Sequence, residues 1–566
     1  MLSRMTPLAI SLLLLVPPQS ATTRQQSQAP AIRSTTRLVQ LSVVVQDKKG
    51  DPITNLTKND FSILDEGKPQ NVAIFSAATP APSIPHPLLP ANFFTNRFDL
   101  KGEDPGAVTV ILFDALNTAS EDQSYVRRQI LRFLQSLKPQ DHVAIYALTT
   151  QLIILHEFTQ DSSALVNAVN HFTPKEIAIF DASRPGFLDV PALHNDAAWM
   201  RFQERINQAN AGIADQAKVD RAITTSAAIE AIAGHVASIP GRKSLIWVSG
   251  SYPLQLFSNV IASDRQIGSQ GPYAKNATRA LSRVDMAIYP VDVTGVQTNA
   301  ATDPRVAVEL KTRVGDSASL GSCMDCIDEA PNRTSGSFER QSLRDSERLL
   351  ADESGGQAFY GNNDIRAAIH RAFDDGRYAY TIGFYPDHGH WDGKFRNLKI
   401  TVKPGNTRLR YRKGYFAFAD RSDPEDRINA DLQEAADSPI EATNLGLIVT
   451  AKPAEPRTAR NIELHIGLDP KQLQLQISQN HRTGAVDLFV IQRDASANIL
   501  AAEKQHIPVN LEEKQFEYLS KAAMVLDKHL TVDPRSTEIR VVLRDATSGT
   551  LGSVTIPTKA IPSASL

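Results

Sequence analysis

The strongest constraint on the fold is a series of apolar runs that alternate with helical patterns over residues 106–375. The first run, Val108–Phe113, is typical of a parallel strand that is covered on both faces. Helical spacing follows over 126–137 and again over 219–239. This alternation predicts right-handed βαβ crossovers and an open, doubly wound, mostly parallel sheet. Further apolar runs lie at 143–148, 152–155, 244–249 and 286–292.

Two segments with the alternating pattern of half-buried strands flank this region, at 37–78 and 376–418. Each has about 40 residues, which is short of what an independent core usually needs. We therefore expect them to form one β-sandwich into which the α/β domain is inserted. The predicted fold class is α/β, with a Rossmann-like sheet inserted in a β-sandwich and a second β-sandwich behind it.

The remaining segments are assigned by composition and strand spacing. Five prolines between Pro80 and Pro90 predict a stiff linker over 79–105. A polar linker or helix is expected over 419–443, and two stretches near 175–215 and 296–340 are interpreted as surface insertions. Short strands at regular spacing over 444–566 predict the C-terminal β-sandwich, with immunoglobulin-like or fibronectin-like topology.

Charge and cysteine content exclude several classes of protein. The 566 residues contain 60 Lys and Arg against 62 Asp and Glu, a net charge of -2, so there is no broad electrostatic case for nucleic acid or an anionic membrane as partner. Only Cys323 and Cys326 are present, which excludes a disulfide-stapled scaffold or a four-cysteine zinc module.

The first 21 residues match an export signal. Arg4 precedes an apolar stretch of about ten residues that ends at Val16, and small residues lead to a predicted cleavage near Ala21. An uncleaved N-terminal anchor is the alternative interpretation. Residues 22–36 are predicted to be a flexible leader. Because no later apolar run reaches about 18 residues, we expect an exported chain, periplasmic or secreted, with no integral membrane segment after cleavage.

Polar residues at the carboxyl ends of parallel strands are the first candidates for a site. The first strand ends in Asp114-Ala115-Leu116-Asn117-Thr118, and a later one lies in Pro240–Ser249. These segments resemble the von Willebrand factor type A (VWA) domain, in its bacterial VWFA-related branch. Val39–Phe75 and Tyr411–Phe416 are similar to the ends of that branch, so the resemblance covers residues 37–418 and implies a VWA-like fold.

The resemblance also implies a metal site. In the family, an Asp-x-Ser-x-Ser loop, a Thr and a second Asp hold Mg²⁺, or Mn²⁺ or Ca²⁺ in its place, and a partner's carboxylate completes the coordination. Asp114 and Thr118 match the loop, and Thr225 matches the lone Thr, with Thr224 as its competitor. The pattern is degenerate, because Leu116 replaces the first Ser and Ser249 stands where the second Asp is expected. Asn117 offers a carbonyl oxygen in partial compensation.

Ordinary structural roles compete with this interpretation. Asp114 is equally suited to accepting hydrogen bonds from its own loop, and Thr225 to capping the start of a helix. The leading functional hypothesis is a non-enzymatic, protein-binding protein of adhesion or scaffold type. It depends on Asp114 lying on an exposed ledge that meets a protein partner, with a carboxylate of that partner as the expected contact.

Three rival motifs are weighed against it. The Asp114 loop also resembles the nucleophile loop of haloacid-dehalogenase-like phosphohydrolases, but that metal-dependent chemistry needs a carboxylate at position 116, which is Leu. Cys323-Met324-Asp325-Cys326 is a disulfide candidate or, less simply, a redox pair. His388 and His390 are interpreted as exposed loop residues, with metal chelation as the alternative.

Overall fold

A computed structural model describes residues 38–76, 90, 92–101, 107–139, 141–173, 197–239, 241–253, 271–295, 344, 347–361, 363–387, 391–403, 405–417, 424–454, 460–478 and 480–561. The predicted signal peptide and leader, Cys323, Cys326, His388 and His390 lie outside these residues. Among the described helices, none combines the length and the apolar character needed to cross a bilayer.

The N-terminal segment folds as strands whose alternate side chains point inward. They are β1 (Val39–Gln46), β2 (Phe61–Asp65), β3 (Lys68–Gln70) and β4 (Ile74–Ser76). Leu41 and Val43 of β1 are fully buried in the core of this unit. A tight turn at Glu66 and Gly67, both with positive φ, joins β2 to β3. Residues 93–95 then form a short strand, β5 (Phe93–Thr95).

The α/β unit follows, with strands that are buried along their whole length in the centre of the sheet. Its strands are β6 (Val108–Asp114), β7 (Val143–Leu148), β8 (Leu152–Thr159), β9 (Lys243–Ser249) and β10 (Met286–Asp292). Its helices are α1 (Ser120–Leu134), α2 (Ser162–His171), α3 (Ala197–His235), α4 (Gly271–Arg283) and α5 (Ile365–Arg377).

The sheet of this unit has the order β10-β9-β6-β7-β8. All neighbours are parallel except β8, which returns antiparallel to β7 at one edge. Helix α1 packs against α2 and α5, and α3 packs against α4. Beyond β10, Phe359 forms a parallel bridge to Val291. Gly356 permits this approach, because a Cβ there would lie 1.9 Å from the carbonyl oxygen of Ile288.

The chain then returns to the N-terminal β unit. Its strands are β11 (Ala379–Phe384), β12 (Phe395–Val402), β13 (Arg408–Arg410) and β14 (Gly414–Phe416). They complete two four-stranded sheets, in the orders β13-β1-β11-β4 and β14-β12-β2-β3. Tyr380, Phe61 and Phe75 pack their rings together, with centroids 5.1 to 5.9 Å apart. Strands from both sides of the α/β unit therefore share one core.

The C-terminal unit begins with α6 (Glu425–Asp437), whose buried Leu432 and Ala436 pack against Ile491 and Val542. Two sheets follow, in the orders β20-β16-β15-β5 and β17-β18-β21-β22, with β19 paired to β18. Helix α7 (Glu513–Ala522) lies between β19 and β20. The strands are β15 (Leu447–Pro453), β16 (Asn461–Leu468), β17 (Gln476–Ser478), β18 (His481–Arg493), β19 (Ile499–Glu512), β20 (Met524–Thr531), β21 (Glu538–Asp545) and β22 (Leu551–Pro557).

The mixed α/β fold with several β-sheets, one of them largely parallel, is confirmed. Two details of the prediction are wrong. The linker predicted over 79–105 contains β5, which pairs with β15 because Asn96 anchors it with hydrogen bonds to Ala442, Leu445 and Leu447. Residues 197–215, predicted to belong to an insertion, instead form the first half of α3.

Candidate functional site

The candidate site lies where the winding of the sheet reverses. Strands β6 and β9 are neighbours, although β7 and β8 separate them in the sequence. Chain segments leaving them run in opposite directions, which creates the switch point at which open α/β sheets bind ligands. Asp114 ends β6 and Ser249 ends β9, so both lie at the carboxyl edge of the sheet at this point.

Asp114 is fully buried and both of its carboxylate oxygens face donors from the same chain. Oδ1 accepts a hydrogen bond from the backbone N–H of Asn117 at 2.9 Å. Oδ2 accepts hydrogen bonds from Asn117 Nδ2 at 2.7 Å and from Trp247 Nε1 at 2.8 Å. The Ser249 hydroxyl lies 3.0 Å from Oδ2 and 2.7 Å from the carbonyl of Ser251, so its single proton is shared between them.

Thr118 closes the loop that follows Asp114. Its hydroxyl donates to the backbone carbonyl of Asp114 at 2.6 Å and accepts from the N–H of Gly250 at 3.0 Å. A Cβ on Gly250 would lie 3.3 Å from the carbonyl of Asn117 and from the Cα of Thr118. The ends of β6 and β9 therefore lie directly against each other.

Helix α3 contributes two side chains, one turn apart, to the same network. Arg221 Nε donates to Asn117 Oδ1 at 2.8 Å, and Thr225 Oγ1 accepts from Asn117 Nδ2 at 2.9 Å. Arg221 Nη2 also lies 3.3 Å from Ser251 Oγ. Thr224 points away and donates to the carbonyl of Asp220, so Thr225 is the threonine that reaches the site.

The alternative role predicted for Thr225, that of a helix N-cap, is wrong. Helix α3 begins at Ala197, so Thr225 lies in its interior, where its side chain is fully buried. The pattern over 219–239 identified the apolar half of the helix alone. The first buried side chain of α3 is that of Ala214, so the first half of the helix has almost no buried side chains.

Burial dominates the electrostatics of the site. It raises the pKa of Asp114, against the opposing effect of the four donors. Burial lowers the pKa of Arg221 to about 10, and the negative charge of Asp114 limits that decrease. Arg221 therefore keeps its positive charge at neutral pH. It is linked to the carboxylate through Asn117, which accepts from the guanidinium and donates to Asp114.

The five predicted ligands, Asp114, Asn117, Thr118, Thr225 and Ser249, are brought together, but their arrangement does not fit a divalent cation. Mg²⁺ requires about six oxygen ligands at about 2.0–2.1 Å in octahedral geometry. Here the acceptor oxygens of Asp114, Asn117 and Thr225 face N–H groups, and Arg221 places a positive charge beside them.

The exposed ledge expected at Asp114 is also wrong. Asp114, Asn117 and Ser249 are 0% exposed and Thr118 is 1% exposed, because the loop after β9 and helix α3 cover the end of β6. A partner's carboxylate cannot reach this network as it stands.

Arg221 is the residue that sequence reasoning missed. Two signals pointed to it. It precedes Thr225 by four residues, which puts both on one helix face, and it is a cation in a helix that supplies a ligand position. Ser249 replaces the expected acid, so the site has lost a negative charge that a cation would require. The disulfide predicted between Cys323 and Cys326 stays a prediction.

Comparisons with known proteins give limited guidance. No protein-family model matches the chain, and no curated protein matches its sequence. Solved structures that match resemble it weakly, and three of them serve as examples. An aerotolerance-related membrane protein from Bacteroides fragilis matches with 10% identity over 48% of this chain and 99% of its own, at a TM-score of 0.24. A pilus adhesin from Lactobacillus rhamnosus matches with 8% identity over 80% of this chain and 53% of its own, at 0.22.

The third, a minor pilin from Streptococcus sanguinis, matches with 8% identity over 48% of this chain and 60% of its own, at a TM-score of 0.23. At these TM-scores the likeness carries no argument, so the description of the fold rests on the strand pairing and helix packing given above.

Proposed function

We propose that the chain is an exported, non-enzymatic binding protein of adhesion or scaffold type, built on a VWA-type α/β domain, and that it binds its protein partner without a divalent cation. The main support for this proposal is that the polar groups at the switch point are buried and bonded to one another. Asp114 and its neighbours are buried and already hydrogen-bonded to one another within the described part of the chain, so a small substrate does not reach their polar groups there. Recognition then has to use the outer surfaces, which suits a macromolecular partner.

The topology of the α/β unit supports the VWA assignment. Numbered from β6, the sheet order is 3-2-1-4-5, with the third strand antiparallel at the edge. That order belongs to the doubly wound class. Asp114 and Thr118 occupy the first and last positions of the loop that the resemblance identifies, directly after the first strand.

Buried polar contacts between the units support a scaffold role. Arg412 of the N-terminal sandwich donates to the carbonyls of Ser282 and Gln40, and so ties the last turn of α4 to β1. On the other side, Thr443 donates to the carbonyl of His235, at the end of α3. Both contacts are largely shielded from water, so the α/β unit is bonded to the β units on either side.

A metal-dependent phosphohydrolase is the alternative, and two features weigh against it. Its nucleophilic carboxylate would be Asp114, which is fully buried and hydrogen-bonded to the indole of Trp247. A phosphate ester could not approach it in line. Leu116, where a general acid is needed, is also buried and packs in the hydrophobic core.

Binding of the partner is expected to be independent of divalent cations. The mature chain is immobilised, exported proteins of the source cell are passed over it, and each captured partner is purified and titrated in EDTA and in millimolar Mg²⁺. We expect the same Kd in both, because Arg221 supplies the positive charge beside Asp114. A Kd that rises by roughly tenfold or more in EDTA would contradict cation-independent binding. Saturable release of phosphate from p-nitrophenyl phosphate would favour the hydrolase.

A further inference from the structure

The charge balance around Asp114 leads to the first inference. Asp114 is a buried acid, and an uncompensated buried carboxylate is strongly unfavourable. In the family that the chain resembles, a divalent cation meets that need. Here Arg221 lies on the far side of Asn117, 5% exposed, with its Nε 2.8 Å from the Asn117 oxygen. Ser249 has no charge, so one carboxylate and one guanidinium balance.

We propose that Arg221 replaces the divalent cation of this site, with Asn117 as the link between guanidinium and carboxylate. The site thereby becomes a permanently closed structural centre that no metal enters. This inference rests on the VWA-type domain of the proposed function. It is tested by melting of the isolated chain, whereas the proposed function is tested by partner binding, so the two can fail separately.

The test measures the thermal midpoint of the full mature chain in EDTA and in millimolar Mg²⁺ or Mn²⁺. We expect no shift for wild type. Arg221→Ala should melt lower in EDTA and partly recover with cation. Arg221→Ala combined with Ser249→Asp sets a second carboxylate within about 3 Å of Asp114, where Ser249 Oγ now lies, and should gain about 5 °C or more with cation.

Arg205→Ala is the matched control, because Arg205 is an exposed arginine on the same helix, and it should melt like wild type in both buffers. A cation-dependent rise in wild type would overturn the proposal. So would the absence of any response in both Arg221 variants. If neither variant folds, Arg221→Gln is measured instead, because glutamine keeps a donor for Asn117 but carries no charge. The proposal then requires that cation raise the thermal midpoint of Arg221→Gln.

A second, independent inference concerns the outer face of the C-terminal sandwich. Strands β16 and β20 pair antiparallel, and Glu463 lies opposite His529 while His465 lies opposite Asp527. Alternate residues of a strand share a face, so the four side chains lie together. The other face of β16 buries its apolar residues, among them Leu464.

Ligand atoms of Glu463, His465 and Asp527 all lie within 4.8 Å of one another, and His529 adjoins Glu463 on the same face. Glu463 Oε2 lies 3.7 Å from His465 Nε2, and its other oxygen, Oε1, lies 3.4 Å from His529 Nε2. Tetrahedral Zn²⁺ with bonds of about 2.0–2.2 Å places its ligand atoms roughly 3.3–3.6 Å apart. Asp527 Oδ1 lies 2.6 Å from His465 Nδ1, which is the outer partner that a ligating histidine usually has.

We propose that Glu463, His465 and His529 bind Zn²⁺, with Asp527 orienting His465. Untagged mature chain carrying Cys323→Ser and Cys326→Ser, which removes a competing thiolate site, is titrated with Zn²⁺ by calorimetry. We expect one saturable site. His465→Ala should abolish it, and Asp527→Asn should weaken it by about tenfold or more. His481→Ala, a histidine of the same sandwich outside the group, is the control. No binding, or binding that survives His465→Ala, would overturn the proposal.

Discussion

Replacing Asp114 by alanine is expected to lower the free energy of unfolding of the α/β unit by about 3–5 kcal/mol. The variant would remove the acceptor of three N–H groups inside the core: the indole N–H of Trp247, the backbone N–H of Asn117 and one of the two amide N–H groups of Asn117. It would also remove the negative charge of Asp114, which stabilises the buried guanidinium of Arg221. Each unmet buried donor costs about 1–3 kcal/mol, and an unpaired buried charge costs more.

Urea unfolding followed by tryptophan fluorescence measures this effect, since Trp247 is fully buried beside the mutated residue. Asp374→Ala is the matched control, because Asp374 is an exposed aspartate on α5 of the same unit, and its effect should stay within about 0.5 kcal/mol. Unfolding of Asp114→Ala at the wild-type urea midpoint would mean that the network at the switch point contributes little to stability.

The sequence predicted where this network lies, but not that the network is buried and closed by contacts within the chain. The apolar run before Asp114 was sufficient to put the carboxylate at the carboxyl edge of the sheet, because a strand that is buried on both faces has a local signature. Its burial was not predictable, since it depends on Arg221 and Gly250, which are 107 and 136 residues away. Local patterns do not encode which distant side chain fills a cleft.

Strand β5 was missed for a related reason. Phe93-Phe94-Thr95 is too short to show a period, and its pairing with Ile448–Thr450 joins segments about 350 residues apart. The first half of α3 was missed because predicting a helix from sequence depends on an apolar stripe. In that half even apolar side chains, such as Met200 and Phe202, are exposed to water. Both errors concern contacts or exposure that only the assembled fold determines.

A pair of buried acids, Asp292 and Glu347, lies near the same edge of the sheet as Asp114. Asp292 ends β10, and its Oδ1 accepts hydrogen bonds from the N–H and hydroxyl of Thr294. Glu347 is 6% exposed, and among the described residues its Oε2 has no hydrogen-bond partner. Burial, together with the negative charge of Asp292, raises the pKa of Glu347 to about 9, while Arg344 opposes the shift. Glu347 is therefore protonated in the folded chain at neutral pH.

This carboxyl group should make the folded state less stable as the pH rises. Between about 4.5, its ordinary pKa, and about 9, the folded chain holds a proton that the unfolded chain has released. The free energy of unfolding then falls by up to about 1.4 kcal/mol for each pH unit, or about 4 kcal/mol from pH 5 to pH 8. Above pH 9 the contribution is constant, because both states are ionised.

Glu347→Gln is expected to remove this dependence, because the amide keeps the shape of the protonated acid and never ionises. Urea midpoints measured from pH 5 to pH 8 should coincide with wild type at the acidic end and exceed it increasingly toward pH 8. Glu204→Gln, on the exposed side of α3, is the control that should follow wild type throughout. Parallel pH profiles for wild type and Glu347→Gln would mean that Glu347 ionises in the folded chain at its ordinary pKa. The buried pair with Asp292 would then carry two negative charges at neutral pH beside the single positive charge of Arg344.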